Sequence, residues 1–222
     1  MGQSGRWMVG WFAGLVLLLV ACGGQAPPQP ALDPSKAQDL LRQGREALSA
    51  GHTAEAVELL EQARQANPDQ VEVLFALGNA YYEKGELERA AAQYEEARKR
   101  SPDNADVLTN LGVVRYQQGQ LSTAIELFEA ALKLLPNDAE ILYNLGSAYA
   151  QQGNYERAIE LYQRAMSVNP DQAEIYLGLG TVYKETGRRR EAVEMLTKFL
   201  TLSDNPEWRA QAQRLLDEVQ KK

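Results

Sequence analysis

Side chains able to do covalent or metal chemistry are scarce in this chain of 222 residues: there is one cysteine, Cys22, and one histidine, His52. A single thiol excludes an intramolecular disulfide and a thiolate metal cluster, and the lone imidazole has no partner base or nucleophile at motif spacing. Carboxylates are plentiful, but Glu95-Glu96 and Glu156 lie where charge serves a solvated face or a helix start. No catalytic residue, metal site, cofactor or small-molecule substrate is therefore expected. The formal charge is −7, and the only dense basic run is Arg188-Arg189-Arg190. Affinity for phosphate backbones comes largely from clustered Lys and Arg, so a nucleic-acid partner is not expected. What remains is one sulfur that could be acylated and a set of aromatic side chains suited to burial against another protein.

Cys22 closes an apolar run. Trp7 to Ala21 carries no charge, is rich in Leu and Val, and follows a polar stretch containing Arg6. Its fifteen residues, at about 1.5 Å each in a helix, fall short of a hydrocarbon core of roughly 30 Å but match the apolar region of a secretory signal. Arg6 at the sixth position breaks the amino-terminal myristoylation motif. The ending Leu19-Val20-Ala21-Cys22-Gly23 resembles the lipobox of bacterial lipoproteins: an aliphatic residue, a tolerant position, a small residue, then the cysteine. The resemblance implies a signal peptide over residues 1–21, lipidation of Cys22 and permanent attachment to a membrane. An uncleaved short anchor or a buried apolar strand is the other reading. Gly23-Gly24 lacks the Asp that retains Gram-negative lipoproteins in the inner membrane. The resemblance therefore points to the bacterial cell envelope, at the outer membrane facing the periplasm, or to the outer face of the membrane in a single-membrane organism. Residues 22–36 read as a tether, with four prolines between Gly23 and Pro34 and little apolar content to build a core.

The rest of the chain repeats itself every 34 residues. Gly44, Gly78, Gly112, Gly146 and Gly180 mark the period, and so do Gly51, Gly85, Gly119, Gly153 and Gly187. Ala56, Ala90, Ala124, Ala158 and Ala192 keep the same register, as do Pro68, Pro102, Pro136 and Pro170. Within a unit the apolar residues recur with helical period, as in Leu142, Leu145 and Tyr149, then Ala158, Ile159, Tyr162 and Ala165. Each unit is thus two amphipathic helices, joined by a glycine turn and closed by proline. The fold class is all-α, a solenoid of five helix pairs over 37–206, divided at 37–70, 71–104, 105–138, 139–172 and 173–206. Asp69 with Glu72, Asp103 with Asp106, Asn137 with Glu140 and Asp171 with Glu174 have the spacing of a capping box, which predicts the helix starts there. Asn205-Pro206 opens a final capping helix over 206–222, on which Trp208, Ala212, Leu215, Leu216 and Val219 share one face.

This pattern resembles the tetratricopeptide repeat (TPR). Its L-G-x-x-Y appears as Leu77-Gly78 with Tyr81, Leu145-Gly146 with Tyr149 and Leu179-Gly180 with Tyr183, and its A-x-x-x-aromatic as Ala90 with Tyr94, Ala124 with Phe128 and Ala158 with Tyr162. The sequence departs from it at Gln43 and Ala47 in the first unit, at Arg115 in place of Tyr, and at Phe199 in place of a small residue. Arg115 is expected to snorkel to solvent or to stack on a nearby tyrosine. The resemblance implies a right-handed TPR solenoid whose first helices line a concave groove, and a scaffold that binds protein segments. The residues it places in the groove are Phe75, Asn79, Tyr82, Thr109, Val113, Tyr116, Tyr143, Asn144 and Ser147. Two readings of these stand side by side: they grip a partner segment, or they follow the repeat consensus and pack between helices. The combination of lipobox and serial repeats resembles type IV pilus lipoproteins that aid secretin assembly. It also resembles adaptors that dock peptidoglycan hydrolases, and a self-associating structural protein is the further alternative.

Overall fold

The structure, a computed structural model, describes residues 33–221. The signal-peptide reading of 1–21, the lipidation of Cys22 and most of the tether lie outside the described residues. Ten helices form five antiparallel pairs: α1 (Pro34–Ser49) with α2 (Thr53–Ala66), α3 (Val71–Glu83) with α4 (Leu87–Arg100), α5 (Ala105–Gln117) with α6 (Leu121–Leu134), α7 (Ala139–Gln152) with α8 (Tyr155–Val168), and α9 (Ala173–Glu185) with α10 (Arg189–Leu202). A last helix, α11 (Pro206–Lys221), follows. Among the described residues each helix packs on its pair mate and on the pairs next to it, with no contact further along. This is how a repeat array buries a core that no single pair could bury alone.

Two sets of glycines make the pairs possible, for different reasons. Gly153 ends α7 with φ near +86°, and its counterparts Gly51, Gly85, Gly119 and Gly187 share the left-handed conformation. Side chains other than glycine adopt it only at a cost. The other set sits inside helices. A Cβ on Gly78 would lie 2.5 Å from the Tyr94 ring, and one on Gly112 would lie 2.6 Å from Phe128, so the paired helices touch through ring on backbone.

The starts of all five first helices differ from expectation. Helix α1 starts at Pro34, inside the stretch assigned to the tether, because Asp33 caps it by accepting from the Lys36 N–H at 3.0 Å. The other first helices begin one residue later than the acid spacing indicates: the cap positions are Gln70, Asn104, Asp138 and Gln172. Pro and Asp fill a two-residue turn, so Asp69 instead pairs with Arg100, and Asp138 accepts from the Ile141 N–H at 2.9 Å. Asp138→Ala should therefore cost about 1 kcal/mol, the usual value of a lost N-cap, while Asp69→Ala loses only an exposed ion pair worth well under about 1 kcal/mol. Urea unfolding of both variants checks this.

Helix α11 closes the array with Ala212, Leu216 and Val219 buried, but Trp208 is 39% exposed rather than packed with them. Asn205 caps the helix through the Glu207 and Trp208 N–H groups. The large Phe199 belongs to the cluster that holds Ala212 and Leu216. The alanine that other pairs carry on the second helix is here supplied by the capping helix.

Candidate functional site

The first helices, α1, α3, α5, α7 and α9, present a face on which several concavities open. One hollow, of about 560 Å³, is lined by Arg45, Leu48, Asn79, Tyr82, Asn110 and Val113, with Glu83 and Glu140 at its margin. A second, of about 420 Å³, is lined by Tyr116, Tyr143, Ser147, Ala150, Gly178 and Thr181, with Tyr155 and Glu185 beside them. The two are the same place moved along by two repeats. Leu48 corresponds to Tyr116, Asn79 to Ser147, Tyr82 to Ala150, Asn110 to Gly178 and Val113 to Thr181, while Tyr94 of α4 and Tyr162 of α8 lie beneath at equivalent positions.

The polar residues of this face are already engaged by the helix behind. The Tyr94 hydroxyl donates to Asn79 Oδ1 at 2.5 Å, and Asn110 Nδ2 donates to the same oxygen at 3.0 Å. The Tyr162 hydroxyl donates to Ser147 Oγ at 3.0 Å. In the third pair the corresponding residues are Phe128 and Val113, apolar on both sides. In the fifth they are Leu196 and Thr181, whose hydroxyl turns back to the Leu177 carbonyl. A buried phenol needs a partner and a buried phenyl must not face an unmet polar group, so the two positions change together.

Of the residues expected in the groove, Phe75 is half-buried against Tyr94, with ring centroids 5.9 Å apart. The Tyr82 hydroxyl accepts from Gln117 at 2.6 Å. Thr109 is 5% exposed and donates to the Ala105 carbonyl, so its hydroxyl offers nothing to a ligand. Asn144 lies off the main hollows in a shallow depression with Glu140, Gln172 and Glu174. Tyr116, Tyr143 and Ser147 converge on the second hollow. Burial raises the pKa of the Tyr116 hydroxyl, and burial with the nearby Glu174 charge raises that of Tyr143. Both stay neutral and able to donate. Gly178, hidden in the sequence beside the periodic Gly180, was not singled out, although its signal is the break in the row Asn110, Asn144, Gly178.

A second ladder joins successive repeats. The Tyr81 hydroxyl bonds Glu61, the Tyr149 hydroxyl donates to Glu129 at 2.8 Å, and Gln163 Nε2 donates to the Tyr183 hydroxyl at 3.0 Å. Each link spans twenty residues. Arg115 takes this place in the third repeat, donating to Glu95 at 3.1 Å and to Gln118 at 3.1 Å. It neither snorkels free nor stacks on tyrosine: the Glu95 carboxylate of the preceding helix reaches it and holds it as an ion pair across the junction. Ala47, at the same position in the first pair, has no earlier second helix among the described residues to bond. Burial followed by the Glu61 contact raises the Tyr81 pKa to about 12. His52 is exposed, 3.5 Å from Glu55. Among the described residues no group of His, Cys, Asp and Glu side chains could hold a metal ion, and no helix is long and apolar enough to cross a membrane.

A tetratricopeptide repeat family model matches residues 41–105, 76–139 and 109–173, and another matches 149–216. No curated protein matches the sequence significantly. Among solved structures, the MamA protein is 25% identical with a TM-score of 0.67, over 75% of this chain and 91% of that one. YrrB, described as a TPR protein with an unusual peptide-binding site, is 21% identical with a TM-score of 0.65, over 80% and 92%. PilF of Pseudomonas aeruginosa is 21% identical with a TM-score of 0.74, over 84% of each chain. The last two speak for the fold. TPR folds are in general non-catalytic scaffolds that bind protein or peptide partners. With matches running from residue 41 to residue 216, and with glycines, rings and inter-repeat links in one 34-residue register, the chain belongs to the tetratricopeptide repeat family.

Proposed function

We propose that this chain is a lipid-anchored, non-catalytic adaptor of the bacterial cell envelope, which binds segments of partner proteins in the groove formed by its first helices. Cys22 carries the lipid, and the repeats act from the outer membrane into the periplasm, in the assembly of an envelope complex such as a pilus secretin. The observation that carries the reading is the pair of open hollows on the concave face. They are lined by tyrosines, with the Asn79 and Asn110 amides, Arg45, Glu83 and Glu140 in the first and Gln151 and Glu185 in the second. Amphipathic rings of this kind contribute much of the energy at protein interfaces.

Capture from envelope extract tests it. The full chain should retain partners that a Tyr82→Ala/Tyr116→Ala/Tyr143→Ala variant loses, and equal recovery by both would end the groove reading. The Cys22→Ser protein should leave the membrane fraction for the soluble one; full retention there would end the lipid-anchor reading. A self-associating role has one observation in its favour: Leu134, Leu135, Val168 and Trp208 are large apolar side chains between 39% and 44% exposed on the third and fourth repeats and the cap. Sedimentation of the full chain in detergent decides it, since a monomer fits the adaptor and a defined oligomer fits self-association.

A further inference from the structure

The second hollow differs from the first in the side chains that line it. Where the first has Tyr82 and Asn110 the second has Ala150 and Gly178, so side chains that occupy space two repeats earlier are missing. A Cβ on Gly178 would already stand 2.9 Å from the Tyr162 ring, so the absence of a side chain there is what lets that ring sit against α9. Where the first has Leu48 the second has Tyr116, and Tyr143 and Tyr155 add two further rings. Its lining hydroxyls include those of Ser147 and Tyr162, bonded to each other at 3.0 Å, and that of Thr181, bonded to the Leu177 carbonyl, and Gln151 lines it as well.

Charge separates the two hollows as well. The first is lined by Arg45 together with Glu83 and Glu140. Glu185 is the one charged residue lining the second. Its neighbour Lys184 is 3.5 Å away and is held more closely by Glu218, at 2.8 Å. Glu174 adds negative potential, since it acts on Tyr143.

We propose that the second hollow is a socket for one basic side chain, arginine or lysine, of the segment bound in the groove. This rests on the groove reading above and names the chemistry of its occupant. Tyr116 and Tyr143 line the hollow, and an aromatic ring attracts a cation through its quadrupole. Glu185 supplies the opposite charge at the rim. An apolar side chain would cover the exposed Glu185 carboxylate without replacing its contacts with water, which is unfavourable, and an anion would meet like charge.

The test starts from dodecapeptides selected from a random phage library on the full chain in non-ionic detergent. Selected peptides should share an arginine or lysine at one position. Replacing that arginine by citrulline, or that lysine by norleucine, should weaken binding about tenfold by fluorescence anisotropy, within the range of a desolvated cation–π contact. On the Tyr116→Leu/Glu185→Gln variant the same replacement should matter less than about twofold, while it keeps its full effect on a Glu83→Gln/Glu140→Gln variant of the first hollow. Tyr116→Leu restores the residue type of Leu48, and Glu185 is exposed, so neither change threatens the fold. Peptides that bind and are lost with Tyr82→Ala but share no basic position would overturn the socket and leave the groove reading intact. A basic preference equally weakened by the first-hollow variant reduces to general attraction to an acidic protein, and overturns the socket too. Failure to select any groove-dependent peptide overturns both.

Discussion

Replacing Gly146 by leucine should destabilise the protein by about 1–3 kcal/mol, the usual cost of overpacking, and should do so at the centre of the array. A Cβ at this position would lie 2.9 Å from both Tyr162 Cδ1 and Cε1, and the ring cannot retreat. It is 3% exposed, and its hydroxyl is fixed to Ser147, one residue from the substitution. The fourth pair therefore has to open, taking with it the packing against α6 and α9 on either side. Gly153→Ala, seven residues on, separates the steric effect from the conformational one. Nothing stands within 4 Å of its Cβ, so the penalty comes only from holding a left-handed backbone, about 1 kcal/mol. Urea unfolding should place Gly146→Leu below Gly153→Ala, and below wild type with a broadened transition, because neighbouring repeats keep part of their own stability. Equal midpoints for the two variants would show that the helices do not cross at ring on backbone.

Phe128→Tyr adds one oxygen and should cost about 1–3 kcal/mol, the penalty for a buried hydroxyl with no partner. Phe128 is 1% exposed, and the residue in register with Asn79 and Ser147 is Val113, which can neither accept nor donate. Val113→Asn in the same chain should recover most of the loss by recreating the Tyr94–Asn79 arrangement, in which the phenol donates to the amide oxygen at 2.5 Å. Alone, Val113→Asn should cost little, since the position is half-buried on an open face and water can reach the amide. The cycle of four proteins, followed by chemical unfolding, should give a coupling of about 1 kcal/mol or more, as expected for side chains in one hydrogen-bond pair. Additive effects would mean that ring and groove residue are independent.

The period of the array was legible because its markers serve contacts that recur unchanged. A glycine under a ring and a glycine in a left-handed turn are each needed once per pair, so they return every 34 residues. What was not legible depends on partners outside the local helix. The cap positions slipped by one because the Pro-Asp turn consumes a residue whose side chain looks like a cap. The partner of Arg115 was not legible because Glu95 is twenty residues earlier on the preceding helix, although Glu61, Glu95 and Glu129 also stand 34 apart and run on to Gln163. Thr109 looked available because its row faces the groove, but its short side chain lies below Phe75 and Tyr143 in exposure and bonds its own backbone. The two hollows were beyond a row-by-row reading, because a hollow is a property of side chains that are absent.

Since each pair touches only those beside it, the pitch of the array is a sum of small rotations, one per junction. Two junctions separate the hollows. Of the ladder links at these two junctions, one is the charged Arg115–Glu95 pair and the other joins the neutral Tyr149 phenol to the Glu129 carboxylate. Both side chains of the charged pair are largely shielded from solvent, so salt screens it weakly. The spacing of the two hollows thus rests on one ionic joint and one neutral one.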